Sequence, residues 1–225
     1  MCKQKGNPFC IELGADPTIW SSESPLPKPQ WIEKALAVFI QSAREAMNGQ
    51  MDSARLLLAN SRESELRVWF DVHAQNSGTW RYKALGKRTP VTISSHDPVK
   101  EFANFETQLF ARDNYHCRYC QSKVIPSKVF RAIQKIVGEE SLPLKGTNAG
   151  RSGYYLMFCA TLDHVIPHSL GGRTNVANLV TCCWSCNYGK TNYTLDQLGL
   201  VDPFARAPLQ ASRWKGLTEL VGVTA

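Results

Sequence analysis

Four cysteines fall into two pairs with the spacing of metal ligands. Cys117 and Cys120 form one C-x-x-C pair, and Cys183 and Cys186 form another. A C-x-x-C turn lets two thiolates reach the same ion, and Zn²⁺ binds four such ligands in a tetrahedron. We therefore expect one structural Zn²⁺ site made by all four thiolates. The alternative is two unrelated pairs of buried cysteines, which is less favoured because the second pair leads directly into a further motif.

That further motif is polar and surrounds the second cysteine pair. It consists of DHVIP at 163–167, GG at 171–172, NLV at 178–180 and CWSCNYGK at 183–190. In this order the segments resemble the HNH endonuclease family, whose nuclease core is the ββα-metal fold. The resemblance extends over about residues 105–200 of this chain. The combination of Asp163, His164, Asn178 and Asn187 also resembles the HNH domain of the CRISPR RNA-guided nucleases.

The residue types of the motif suit the hydrolysis of a phosphodiester. A neutral histidine can take the proton of the attacking water near pH 7, and a divalent metal can act as the Lewis acid. Hard metals such as Mg²⁺ or Mn²⁺ prefer carboxylate and amide oxygens, of which Asp163 and Asn187 offer one each. Asp163 is the only carboxylate in residues 159–195, so we expect one catalytic metal rather than two.

The resemblance implies a role for each polar residue of the motif. His164 would be the general base, Asp163 and Asn187 would bind the catalytic metal, and the products would carry 5′-phosphate and 3′-hydroxyl ends. Asn178 would hold the loop and orient the histidine, with Asn175 as a nearby alternative. Asn178 is preferred because it directly precedes the Leu-Val strand and lies nine residues before Asn187.

Three further residues are candidate nucleic-acid contacts. Lys190 lies one helical turn after Asn187, where we expect it to face the phosphate backbone, although a solvated helix lysine is the alternative. Arg173 lies in the glycine-containing loop and is equally well interpreted as a surface arginine. His168 follows His164 by four residues but beyond a proline, so no helical geometry aligns the two.

The composition favours a globular protein with an anionic partner. The chain has 225 residues, a hydrophobic fraction of 43% and a net charge of +7, which points to an anionic partner, nucleic acid first. No apolar run approaches the roughly 20 residues of a membrane helix, so no membrane association is expected. The N-terminus lacks the apolar core of a secretory signal, and we expect a cytoplasmic protein.

In a reducing compartment, a cysteine is more often a metal ligand or a buried thiol than part of a disulfide. Four cysteines lie outside the two pairs: Cys2, Cys10, Cys159 and Cys182. We expect Cys159 and Cys182 to be buried thiols. The irregular spacing of Cys2 and Cys10 does not favour a metal site.

The elements that must position these residues follow from the hydrophobic pattern and from helix start and stop signals. We expect helices at 31–47, 51–59 and 63–73, with Gly78 as a stop signal, and then a basic, β-leaning segment at 79–95. Further on we expect a helix opened by Asp97-Pro98 and ending near Asp113, a helix at 128–137, strands at 156–165 and 179–181, and a helix at 184–195. The basic segment, which includes Arg81 and Arg88, either helps to clamp DNA or is solvated.

The predicted fold class is α+β. We expect a mainly helical N-terminal region, followed by a ββα-metal (HNH) nuclease core. A four-cysteine zinc site would stabilise this core. The predicted boundaries are an irregular arm at 1–30, the helical region at 31–100, the nuclease domain at 101–203 with an insertion at 121–157, and a tail at 204–225.

The predicted function is that of a metal-dependent endonuclease acting on DNA. One alternative is a zinc-stabilised nucleic-acid-binding module without activity, against which the intact set of Asp163, His164, Asn178 and Asn187 argues. Another is a nuclease subunit of a larger assembly, docked on a protein partner through the N-terminal region. Restriction, phage defence, homing and phage DNA processing all use this nuclease core, and the sequence does not choose among them.

Overall fold

The computed structural model describes residues 16–87, 103–210 and 213–222. The predicted helix start at Asp97-Pro98, and also Cys2, Cys10 and Arg88, lie outside these residues. Within them, no helix is both long and apolar enough to cross a membrane.

The N-terminal helices confirm the predicted pattern. They are α1 (Gln30–Met47), α2 (Met51–Ala59) and α3 (Glu63–Trp69), and a π-helical segment, Phe70–Ala74, continues α3. In α1 the apolar side chains recur every three or four residues, which places them on one face of the helix. The buried residues of that face include Ile32, Leu36, Phe39 and Ala43.

The predicted stop at Gly78 and the β-leaning segment after it are wrong over the described residues. Helix α4 (Ser77–Leu85) covers this part of the chain and contains Gly78 in its first turn. A Cβ atom on Gly78 would lie 2.0 Å from the carbonyl oxygen of Gly189, so the glycine permits two backbones to touch rather than ending a helix. Arg81 is buried and donates to the carbonyl oxygens of Ser21 and Ser24 at 2.8 and 2.9 Å, so it is a structural side chain.

Residues 103–190 contain the expected two strands followed by a helix. Helix α5 (Ala103–Arg112), helix α6 (Ser127–Val137) and helix α7 (Gly153–Phe158) precede β1 (Ala160–His164), β2 (Leu179–Cys183) and helix α8 (Trp184–Lys190). The strands are antiparallel, with Ala160 opposite Cys183 and His164 opposite Leu179. Helix α8 packs against both strands, which confirms the ββα arrangement.

Two predicted boundaries in this region are wrong. The segment predicted as a strand from residue 156 is helical up to Phe158. The prediction failed because the sequence of a short, buried apolar run does not distinguish a strand from a helix. The last helix ends at Lys190 instead of Leu195, and Thr191 follows it with a φ of 49°. The predicted helix at 128–137 is confirmed as α6.

The segment predicted as an insertion, 121–157, packs against the N-terminal helices and against helix α8. Helix α6 contacts α1 and α2, and helix α7 contacts α3 and α8. The ring of Phe39 in α1 lies 5.0 Å from both Phe130 in α6 and Tyr154 in α7. This segment therefore belongs to one continuous hydrophobic cluster with the N-terminal helices and the ββα core.

Candidate active site and zinc centre

The four paired cysteines meet at one point in the fold. Their sulfur atoms all lie within 4.8 Å of one another, and the Sγ atoms of Cys120 and Cys183 are 3.7 Å apart. Zn–S bonds of ~2.3 Å in a tetrahedron place neighbouring sulfurs about 3.8 Å apart. The cluster thus has the ligand type, number and spacing of a structural Zn²⁺ site, as the C-x-x-C spacing predicts.

Two short elements bring these thiols together. Cys117 and Cys120 lie in the turn after α5, which closes with a hydrogen bond from the Gln121 amide to the Cys117 carbonyl and a φ of 61° at Gln121. Cys183 is the last residue of β2, and Cys186 lies in the first turn of α8. Because β2 and α8 are joined without a loop, the second pair sits at a fixed angle between strand and helix.

Lys28, in the segment just before α1, places its ammonium group against this cluster. The Nζ atom of Lys28 lies 3.1 Å from the Sγ atoms of both Cys120 and Cys183. Burial alone would lower the pKa of Lys28, but electrostatic interaction with the four surrounding cysteines raises it well above its ordinary value. Four thiolates around one Zn²⁺ would leave two net negative charges, one of which the Lys28 ammonium offsets. Lys28 was not predicted from the sequence, because nothing in its neighbours marks it as a partner of the cysteines.

We predict that Lys28→Met accelerates zinc loss. Partners that hydrogen-bond to metal ligands contribute about 10–100-fold to metal affinity, so we expect zinc transfer to a chromogenic chelator to be at least about tenfold faster. Lys34→Met is the matched control, because Lys34 is an exposed lysine of α1. Equal transfer rates for the wild type and Lys28→Met would contradict the prediction.

The end of β1 and the middle of α8 bring Asp163, His164 and Asn187 together. The amide nitrogen of Asn187 donates to the Leu162 carbonyl oxygen at 3.4 Å, which holds the side chain against β1. The three residues line one open cleft with a volume of about 210 Å³. Its other lining residues are Leu162, Pro167, His168, Thr191 and Asn192.

His164 is half-buried and lines this cleft. Burial, and then the charges of His168 and Lys190, lower the pKa of His164 to about 4, so its ring is neutral at pH 7. Its Nε2 atom lies 2.9 Å from the Thr174 hydroxyl, and its ring centroid lies 5.5 Å from that of His168. Thr174 was not predicted from the sequence, and no helical spacing placed His168 beside His164.

The Asn178 side chain hydrogen-bonds to the backbone at two separate places in the loop between the strands. Its amide oxygen accepts from the Ile166 amide at 2.8 Å, and its amide nitrogen donates to the carbonyl oxygens of Ile166 and Arg173 at 3.0 Å. A Cβ atom on Gly172 would lie 1.8 Å from the Ile166 carbonyl oxygen, so this crossing needs glycine. Asn175 caps only a local turn, in which it accepts from the Asn178 amide at 3.1 Å. Arg173 itself is exposed on this loop.

Asp163 and Lys190 form a buried ion pair beneath the cleft. The Lys190 Nζ atom lies 3.1 Å from Oδ2 of Asp163 and donates to the His164 carbonyl oxygen at 2.8 Å. Burial raises the pKa of Asp163 above its ordinary value, and Lys190 and the hydroxyl of Tyr119 offset this only in part. Lys190 is 0% exposed. The expectation that it faces a phosphate backbone is therefore wrong: it lies on the inner face of α8, where a buried ammonium requires a carboxylate partner.

Comparison with known proteins bears on this same segment. The comparisons with curated proteins and with solved structures found no match. A protein-family model described as HNH endonuclease matches residues 158–200, a segment shorter than half of the chain. The matched segment contains β1, β2, α8 and the second cysteine pair. By this match and by its ββα arrangement, residues 158–200 carry an HNH endonuclease domain.

Proposed function

We propose that the protein is a metal-dependent endonuclease that hydrolyses phosphodiester bonds of DNA. The observation that carries the proposal is the convergence of Asp163, His164 and Asn187 on one open cleft within the segment that matches the HNH endonuclease model. The net charge of +7 supports a polyanionic substrate.

The oxygen atoms at this cleft fit a hard divalent cation. Asp163 offers a carboxylate from β1 and Asn187 an amide oxygen from α8, and Mg²⁺ in proteins is held by one or two such ligands together with water and substrate phosphate. We propose that these two residues hold Mg²⁺ or Mn²⁺. When bound there, the ion would supply Lewis-acid stabilisation of the charge on the phosphoryl oxygens.

The remaining polar residues act on the water and on the loop. His164, neutral at pH 7, takes the proton of the attacking water as general base. Thr174 fixes the orientation of the imidazole through its contact with Nε2, and Asn178 holds the loop that carries Thr174. His168 and the exposed Arg173 are proposed contacts to the substrate at the rim.

A plasmid-cleavage experiment tests this proposal. The zinc-loaded protein is freed of loose divalent ions by gel filtration and incubated with supercoiled plasmid, with and without added Mg²⁺ or Mn²⁺. We expect nicking only with the added metal, and nicks that DNA ligase reseals, because the ends are 5′-phosphate and 3′-hydroxyl. Zinc is measured at the end of each reaction, so that zinc loss is not mistaken for loss of the catalytic metal. Cleavage without added metal would contradict the proposed mechanism.

One observation favours a second candidate function, that of a zinc-stabilised module that binds DNA without cutting it. The carboxylate of Asp163 is already paired with the Lys190 ammonium, which reduces the negative charge available to a divalent cation. The same assay separates the two candidates. Salt-sensitive DNA binding without any metal-dependent nicking would favour the binding module.

A further inference from the structure

Tyr119 connects the zinc cluster to the proposed catalytic cleft. It lies between Cys117 and Cys120 in the first C-x-x-C turn, and its ring is fully buried. Its hydroxyl donates to Oδ2 of Asp163 at 2.6 Å, across 44 residues of sequence. One residue of the turn that carries two zinc ligands thus also contacts the proposed ligand of the catalytic metal.

The contacts on Asp163 are unequal for its two carboxylate oxygens. Oδ2 accepts from the Tyr119 hydroxyl at 2.6 Å and lies 3.1 Å from the Lys190 ammonium. Among residues 16–87, 103–210 and 213–222, the only hydrogen-bond contact of Oδ1 is a long one of 3.5 Å to the same ammonium. A carboxylate oxygen accepts about two hydrogen bonds, so Oδ2 is saturated and Oδ1 is the oxygen left for a ligand in the cleft.

The position of the Tyr119 hydroxyl is set by the zinc turn and by the C-terminal segment. The flanking cysteines tie the backbone on both sides to the cluster. Arg206 donates to the carbonyl oxygens of Arg118 and Tyr119 at 2.6 and 3.1 Å, and Arg118 donates in return to the carbonyl oxygen of Arg206. The ring therefore has little freedom to follow Asp163 if the carboxylate rotates.

We propose that Tyr119 is a positioning residue that, together with Lys190, orients the Asp163 carboxylate so that Oδ1 faces the catalytic metal. The inference rests on the proposed function, because it assigns Asp163 as a metal ligand. It adds that the zinc turn does more than stabilise the fold: through one hydroxyl it sets the geometry of the catalytic cleft.

Tyr119→Phe tests the inference because it removes the hydroxyl and keeps the ring. We expect Mn²⁺ binding, followed by the electron paramagnetic resonance of the free ion, to weaken by about 10–100-fold, the usual effect of losing a partner of a metal ligand. Bound zinc should stay at the wild-type level. High Mn²⁺ should largely restore cleavage, because concentration overcomes a defect in metal binding.

Tyr115→Phe is the matched control. Tyr115 is a second buried tyrosine beside the same turn, and its hydroxyl contacts Thr218 instead of the cleft. We expect its Mn²⁺ binding to equal that of the wild type. An equal loss in both variants, or loss of zinc from Tyr119→Phe, would give the hydroxyl a merely structural role and overturn the inference.

The outcomes also separate this inference from the proposed function. If the wild type binds Mn²⁺ and cleaves DNA while Tyr119→Phe does both with unchanged metal dependence, only the inference fails. If the wild type neither binds Mn²⁺ nor cleaves DNA, the proposed function fails and the inference fails with it.

Discussion

Replacing His164 by alanine should lower the rate of DNA cleavage by about 10²–10⁴-fold, the usual contribution of a general base. Zinc content, thermal stability and DNA affinity should stay near those of the wild type. His164 is half-buried at the end of β1, outside both cysteine pairs, and its side chain contacts the loop through Thr174. Its loss therefore removes the base and leaves the zinc centre intact. The measurement is the single-turnover cleavage rate at saturating Mg²⁺, beside elemental analysis and a melting curve.

Asn187→Ala distinguishes a missing base from a missing metal ligand. If Asn187 holds the metal, its alanine variant should need more Mg²⁺ or Mn²⁺ and should regain much of its rate at high concentration. His164→Ala should not be rescued to the same degree, because proton abstraction is not a metal-binding defect. Wild-type cleavage by His164→Ala would require the roles of Asp163 and His164 to be abandoned, and nicking would then point to a contaminant.

Cys186→Ser should prevent the protein from folding. Structural Zn²⁺ contributes on the order of 10 kcal/mol to the folding of small domains, which is as large as the whole stability of a typical domain. Cys186 is fully buried at the junction of β2 and α8, so the loss of one ligand disturbs the elements that also carry the cleft. We expect insoluble or unfolded protein, measured by soluble yield, circular dichroism and zinc content.

Cys182→Ala is the control for this prediction. Cys182 is a neighbour of Cys183 in β2 and is equally buried, but it lies outside the four-cysteine cluster. Its removal leaves only a small cavity, and we expect folded protein with normal zinc. A folded, active Cys186→Ser variant without zinc would show that the cluster is not a structural metal site.

Local sequence was sufficient for the elements whose pattern is long and regular. Helices α1, α2 and α6 lie where the spacing of their apolar residues predicts them, because a buried face imposes that spacing over several turns. The pattern failed at α4 and α7. Gly78 is typical of a helix end, yet here it permits the backbone contact with α8, and the short run before β1 is buried on all sides. Both depend on neighbours distant in sequence.

The candidate site divides in the same way. The sequence by itself marked out the four cysteines, whose sulfur atoms cluster in the fold, and the candidate residues Asp163, His164, Asn178 and Asn187. It could do so because binding a metal, and the proposed hydrolysis of a phosphodiester, would constrain the residue types and their spacing. Only the tertiary structure decided that Lys28 lies against thiols 92 and 155 residues away, and that Tyr119 contacts Asp163. It also decided that Lys190 points inward. A helical position sets the direction of a side chain around the helix axis, but the packing of α8 against the strands determines which direction is buried.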